Sequence, residues 1–166
     1  MTAPKGPEWN NKMNGKIAGI SIVGTAIVAA AAMYYFQEYG YTIDVATDAP
    51  VQLTTLAGPR EDILTENLQA YDATSSPLRY RACFTTPQSQ AMLTETYKVV
   101  DDPVPLTGPR WFDCYDAATV GAALETGEAI AFLGQADIHE GVDRVVAVFP
   151  DGRAFVWHQL NEKLTE

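Results

Sequence analysis

The chain has 166 residues and a formal net charge of −10. Residues 1–16 hold three basic and one acidic side chain, a net +2, whereas residues 37–166 hold eight basic and twenty acidic ones, a net −12. So acidic a carboxyl-terminal part argues against nucleic acid and anionic lipid surfaces as partners, and its length suits one domain with a single core.

Residues 17–36, IAGISIVGTAIVAAAAMYYF, carry no charge and predict a transmembrane helix. Twenty helical residues span about 30 Å, the hydrocarbon thickness of a bilayer. Residues 1–16 predict a disordered tail, in which Met13 is an alternative start. The lysines of this tail place it in the cytoplasm by the positive-inside rule, and tyrosines mark the outer boundary of the span. The rival interpretation is a cleaved signal peptide with Ala29–Ala32 as its small-residue site.

Small residues recur in and beside the span at a spacing of four, which predicts a helix-packing face: Gly15, Gly19, Ser21, Thr25 and Ala29. Helices in lipid associate through close packing, so such a face indicates a partner helix. The alternative is that alanine- and glycine-rich spans are simply common.

Residues 37–50 predict a juxtamembrane stalk, and residues 51–166 predict the folded domain. Alternation over residues 51–56 indicates a first strand. Residues 61–71 place Ile63, Leu64, Leu68 and Tyr71 on one helical face, so we expect a short helix there.

Residues 78–84, LRYRACF, alternate as a half-buried strand. Thr86-Pro87 predicts a helix running to about Glu95, and YKVV from Tyr97 predicts a strand. Residues 101–109, DDPVPLTGP, predict an extended connector, because three prolines hinder regular structure. A helix is then expected from Asp113, as N-cap, to Gly127.

Residues 129–133 are continuously apolar and predict a central strand, followed by a loop over 134–141. Residues 142–149 and 154–160 flank a Pro-Asp-Gly-Arg turn and predict a β-hairpin in which Gly152 adopts positive φ. Mixed strands and short helices indicate an α+β ectodomain with a mainly antiparallel sheet.

Cys83 and Cys114 follow the span, and a pair in an oxidising compartment is best interpreted as one disulfide. Closing its loop of about thirty residues is worth roughly 3.5 kcal/mol. The alternative is a reactive thiol at Cys114, whose pKa a nearby helix start would lower.

The sequence lacks the local motifs of nucleotide-binding proteins, α/β-hydrolases, zinc proteases and EF-hand calcium sites. His139 and His158 show no metal-ligand spacing, and we expect exposed or strand-packed roles for them. Three arginines, Arg79, Arg81 and Arg110, are expected to neutralise local acids. The carboxylate pairs Asp101-Asp102 and Asp113-Asp116 are explained by a solvated loop and a helix start. No catalytic, metal-binding or cofactor-binding residue is predicted.

Trp111 and Phe112 are large apolar residues that follow the proline-rich connector. Aromatic anchors of this kind dominate protein interfaces. They therefore indicate a possible interface, although the favoured alternative is that they fill the domain's own core.

Several phrases, among them SSPLRYRACFTTP, LTETYKVVDDPVPLTGPRWFDCYDA and GVDRVVAVFPDGRAFVWHQLN, resemble an alphaproteobacterial family of small single-span proteins with a domain of unknown function. The resemblance covers roughly residues 13–161 and implies a bacterial inner-membrane location. It supplies no catalytic or binding residue.

The favoured function is that of a non-enzymatic single-span protein with its amino terminus cytoplasmic and its domain periplasmic. It would serve as an accessory subunit or assembly factor, with the lipid bilayer and another integral membrane protein as partners. A periplasmic thiol-active protein or enzyme using Cys114 is the second hypothesis. A ligand-sensing ectodomain, which would need a partner for output, is the third.

Overall fold

A computed structural model of the chain describes residues 15–46, 48–161 and 163. The chain divides after Gly40 into two compact units. The described part of the first contains one helix, α1, Gly15–Glu38, in which no residue is buried and nearly all are exposed. Its length and apolar composition suit a membrane span, and a signal sequence near the amino terminus has the same properties. The helix includes the predicted residues 17–36 and adds two at each end.

The described residues of the second unit form eight strands and two short helices. The strands are β1 Thr42–Asp44, β2 Gln52–Thr54, β3 Arg60–Asp62, β4 Glu66–Ala73, β5 Arg81–Thr85, β6 Ile130–His139, β7 Val142–Val148 and β8 Arg153–Leu160; the helices are α2 Gln90–Thr96 and α3 Ala117–Glu125. Six strands form an antiparallel sheet in the order β1-β4-β5-β8-β7-β6, and β2 pairs with β3. The predicted α+β class with a mainly antiparallel sheet is confirmed.

Both faces of the sheet are buried, and each of the strands β4 to β8 contributes to both core clusters because its successive side chains point to opposite sides. One cluster includes Phe132 and Val156 together with Leu93 of α2. The opposite cluster includes Val145 and Trp157 and, from α3, Val120 and Ala123. We call the sides of the sheet occupied by these clusters the α2 face and the α3 face.

The helix predicted over residues 61–71 is wrong, since this segment forms β3 and β4. Leu68 lies in the α2-face cluster whereas Tyr71 lies in the α3-face cluster. In a strand, residues three apart point to opposite faces, and both faces are buried here. The same spacing in a helix would place the two residues on one face, which explains the wrong prediction. A register shift between Glu66 and Gln69, with Asn67 at φ 55°, adds to the irregularity.

Other boundaries also differ from the prediction. The stalk predicted over residues 37–50 contains β1, which pairs with β4, and Val45 and Ala49 pack against the α2-face cluster. The loop predicted over 134–141 is mostly the distal half of β6, whose pairing with β7 tolerates two register shifts. The expected strand from Tyr97 is reduced to two isolated bridges, from Tyr97 to Thr55 and from Val99 to Phe132.

The helices start later than predicted, because the capping side chains lie further along the chain. The Ser89 hydroxyl accepts the Met92 N–H at the start of α2. Asp116, and not Asp113, caps α3 by accepting the Ala118 N–H at 3.0 Å. An N-cap side chain must reach a backbone donor two or three residues ahead, which fixes each start.

The carboxyl-terminal hairpin is confirmed by the pairing of β7 with β8 from Val142↔Leu160 to Val148↔Ala154. Gly152 adopts φ 85° in the turn, as expected. A Cβ at this position would also lie 2.6 Å from the Thr86 carbonyl oxygen. Glycine is therefore required here both for its conformation and for the close approach of the neighbouring chain.

Candidate functional site

The proline-rich connector, residues 101–109, crosses the α3 face without joining the sheet. Pro103 and Pro105 have no N–H, so Val104 supplies the only backbone donor between them. That N–H donates to Gln159 Oε1 at 2.8 Å, and Gln159 Nε2 donates to the Asp102 carbonyl at 3.2 Å. The same Oε1 accepts the indole N–H of Trp157 at 3.0 Å. One nearly buried amide thus binds the connector to β8.

Arg81 holds the next part of the connector. Its guanidinium donates to the carbonyls of Leu106 at 2.8 Å and Thr107 at 3.1 Å, and to those of Leu78 and Tyr80. Only 2% of the residue is exposed, and burial lowers the pKa of the guanidinium. Because four carbonyls accept from it, the buried cation is hydrogen-bonded without an acid. The expectation that Arg81 neutralises local acids is wrong.

A disulfide bond between Cys83 and Cys114 joins β5 to the turn that precedes α3, with the two Cα atoms 6.2 Å apart. The described part of the chain has no free cysteine. The bond, the Asp116 cap and the burial of Val120 together fix α3 against the sheet. The reactive-thiol hypothesis would require this bond to be opened first.

The connector and α3 border an open groove of about 650 Å³, which we call the connector groove. Its lining residues are Asp101, Asp102, Pro103, Val104, Pro105, Ala117, Ala118, Gly121, Ala122, Leu124 and Glu125. Pro105 faces α3 at Gly121, where an added Cβ would lie in ordinary van der Waals contact, 3.6 Å from the Pro105 Cγ. The floor is therefore apolar, and carboxylates stand at the ends of the connector and the helix.

The charged side chains that line the connector groove are all acidic. Three acids, Asp101, Asp102 and Glu125, line it, and no lysine or arginine does so among the described residues. The two ion pairs within residues 15–46, 48–161 and 163 are Arg153–Asp151 and Lys163–Asp137, neither of which includes a groove acid. The groove thus presents negative charge around an apolar floor, and Lys163, which lines an adjacent cavity with Asp101 and Asp102, is paired with Asp137 instead.

The two aromatic residues predicted as a possible interface separate in the structure. Phe112 is 8% exposed in the α3-face cluster, so it belongs to the core. Trp111 is 36% exposed, and its ring lies 5.2 Å from that of Tyr71. Only Trp111 is therefore available at the surface.

The predicted helix-packing face also divides. Ser21, Thr25 and Ala29 border one shallow groove of α1 together with Ile22 and Ala26. Gly15 and Gly19 do not line this groove, because at about 100° per residue Gly19 lies roughly 160° around the helix from Ser21. The structure brings together three of the five residues.

A polar cluster on the α2 face surrounds His158, which we expected to be exposed or strand-packed. It is 1% exposed, its Nδ1 lies 2.6 Å from the Pro77 carbonyl, and Arg144 Nε donates to its Nε2 at 3.0 Å. Its ring stacks on Tyr80 with centroids 4.9 Å apart. Burial lowers the pKa of His158 to about 4, so the imidazole is neutral near pH 7.

The remaining candidates do not converge on a chemical centre. Arg110 and Asp113 are exposed, and Arg79 donates to the Ser75 hydroxyl at 3.3 Å. His139 is exposed with its ring 6.3 Å from that of His158. The described residues contain no group of three or more His, Cys, Asp or Glu side chains placed to hold a metal ion.

Sequence reasoning identified the connector and its acids but missed the groove. Its second wall, α3, is adjacent only after folding, and the buried anchors Arg81 and Gln159 look like ordinary surface residues in sequence. The sequence did contain one clue. If strands are covered on both sides, the polar residues on them must form hydrogen bonds within the protein.

A sequence profile described as "Family of unknown function (DUF6446)" matches residues 51–166. No curated protein and no solved structure matches the chain.

Proposed function

Given that the chain belongs to the DUF6446 family of unknown function, we propose that it acts as a non-enzymatic, single-span accessory subunit or assembly factor of an inner-membrane complex. Its amino terminus is cytoplasmic, its folded domain is periplasmic, and its partner is another integral membrane protein. The observation that carries the proposal is α1, a helix of 24 residues in which no apolar side chain is buried.

A lipid bilayer would cover the apolar side chains that α1 exposes. An apolar helix in water would expose far more hydrophobic surface than soluble proteins tolerate, whereas in a bilayer the same surface is stable. The tail lysines support a cytoplasmic amino terminus, and the strongly acidic domain supports an aqueous compartment on the other side. The disulfide supports an oxidising compartment.

Partner binding within the membrane is supported by the groove beside Ser21, Thr25 and Ala29. Small side chains let the backbones of two helices approach closely, and van der Waals contact then drives their association. The Thr25 hydroxyl already donates to the Ser21 carbonyl at 2.8 Å, so it adds little polarity to this surface.

The test is purification of the full chain from its source cells in mild detergent, followed by mass spectrometry. We expect one integral membrane protein to co-purify in constant ratio. Ala29→Leu, which fills the helix groove, should reduce its recovery about tenfold, since a few lost packing contacts amount to about 1.4 kcal/mol. The matched variant Ala30→Leu changes the adjacent position, about 100° around the helix, and should leave recovery unchanged.

Two results would count against the proposal. One is a protein that always purifies alone at native expression levels. The other is a mature polypeptide whose first residue lies beyond the alanine run, because a cleaved leader anchors nothing.

A further inference from the structure

The connector groove is a surface whose two walls are fixed by covalent and buried polar contacts. The connector wall is held by Gln159 and Arg81, and the α3 wall by the Cys83–Cys114 disulfide. Val104, between two prolines, is 56% exposed. A rigid groove binds an extended chain with little ordering cost on its own side.

Charge complementarity indicates what binds there. Three carboxylates line the groove and take part in no ion pair among the described residues. A cationic segment would neutralise them, whereas nucleic acid and anionic lipid surfaces would be repelled. The apolar floor, made by Val104, Leu124 and the alanines of α3, requires apolar contacts from the same segment.

We propose that the connector groove binds a segment of a partner polypeptide in which lysine or arginine alternates with apolar residues. This inference rests on the proposed function, and it names the chemistry of the partner. The basic side chains lie against Asp101, Asp102 and Glu125 at the rim, and the apolar ones contact the floor. Salt weakens the complex, because the rim carboxylates are exposed.

The probe is a fluorescent ten-residue peptide of alternating lysine and valine, and its counterpart alternates glutamate and valine. Each is titrated by fluorescence anisotropy with the full chain in non-ionic detergent, with empty micelles as blank. We expect saturable binding of the lysine peptide alone. The triple variant D101N/D102N/E125Q should weaken it about tenfold, since three exposed ion pairs are lost.

The matched control E61Q/E66Q/E95Q removes the same charge from exposed positions of β3, β4 and α2. It should change the affinity less than about twofold if the groove, and not net charge, is responsible. Ala122→Leu fills the groove without altering charge and should weaken binding about fivefold, since a few apolar contacts are lost. Ala91→Leu on α2 is its control and should have no effect.

The inference is overturned if the lysine peptide does not bind, if both triple variants weaken binding equally, or if Ala122→Leu binds like the parent protein. If a partner still co-purifies and its recovery still depends on Ala29, such results would refute peptide binding by the groove and leave the proposed function intact. If the groove binds the lysine peptide but the protein always purifies alone, the groove proposal stands and the proposed accessory function fails.

Discussion

The two faces of the sheet are covered in different ways. The cover of the α2 face, β2, β3 and α2, packs through apolar side chains such as Leu53 and Leu93 and joins neighbouring strands by backbone bonds. Side-chain bonds from Thr54 and Gln90 to strand carbonyls add to these contacts. The cover of the α3 face is a proline-rich connector and one helix, fixed by a disulfide, Arg81 and Gln159. A segment that lacks backbone donors needs side-chain anchors, and these leave its outer surface free for a groove.

The largest expected effect comes from removing the covalent anchor of the α3 face. The double variant Cys83→Ala/Cys114→Ala should lower the free energy of unfolding by roughly 3.5 kcal/mol, because the unfolded chain regains the freedom of a 31-residue loop. Urea unfolding of the full chain in detergent, followed by tryptophan fluorescence, measures this. Hydrogen exchange should accelerate in α3 more than in α2; uniform acceleration would show that the faces are not stabilised separately.

The polar anchor is tested by Gln159→Leu. The change leaves the buried Trp157 indole N–H without an acceptor and releases Val104, so we expect a loss of about 2 kcal/mol. Gln159→Glu keeps the acceptor and should cost less. Equal stability of the leucine variant and the parent protein would mean that the connector is held by packing alone.

The α2 face should respond to pH through His158. Its folded pKa of about 4 lies below the value near 6.5 of an unfolded histidine. As the pH falls between these values the unfolded state takes up a proton that the folded state does not. The free energy of unfolding should therefore fall by about 2 kcal/mol between pH 7 and pH 5.

The contribution of His158 to this pH dependence can be separated from that of carboxylates that titrate in the same pH range. His158→Phe preserves a ring beside Tyr80 and should be less stable at pH 7, but it should lose this part of the pH dependence. His139→Gln, at an exposed position, should retain it. If His158→Phe and the parent protein change in parallel from pH 7 to pH 5, the imidazole is not buried in its neutral form.

The smallest expected effect is a gain in stability on the α3 face. The Tyr115 hydroxyl is buried and has no hydrogen-bond partner among the described residues, and burial raises its pKa. Tyr115→Phe removes the unpaired group and should stabilise the protein by about 1 kcal/mol in urea unfolding. A loss of similar size would reveal that the hydroxyl is hydrogen-bonded in solution.

Local patterns predicted much of this fold, and non-local packing decided the rest. Alternation located β5, although this strand begins at Arg81 and not at Leu78 and is buried on both faces and not on one. The turn at Gly152 identified the final hairpin, because this signal is contained within a few residues. The segment around Leu68 and Tyr71 misled because a strand covered on both sides loses its alternation. The two faces become visible only when β4 is placed inside the sheet.

The candidate site shows the same division. The sequence indicated an accessible, acidic, proline-rich connector and a possible disulfide between Cys83 and Cys114. It did not indicate that Gln159, 55 residues after Val104, binds the connector, nor that α3 closes the groove. Phe112 was ambiguous in sequence because an aromatic residue after a connector suits both an interface and a core.

Site-specific photo-crosslinking in the membranes of the source cells tests the account most directly. A crosslinking side chain is placed at Ala122 in the connector groove or at Ala91 on α2. We expect Ala122 to crosslink to a basic segment of one integral membrane protein, and Ala91 to give no such product. No adduct from Ala122, or the same adducts from both positions, would contradict the account.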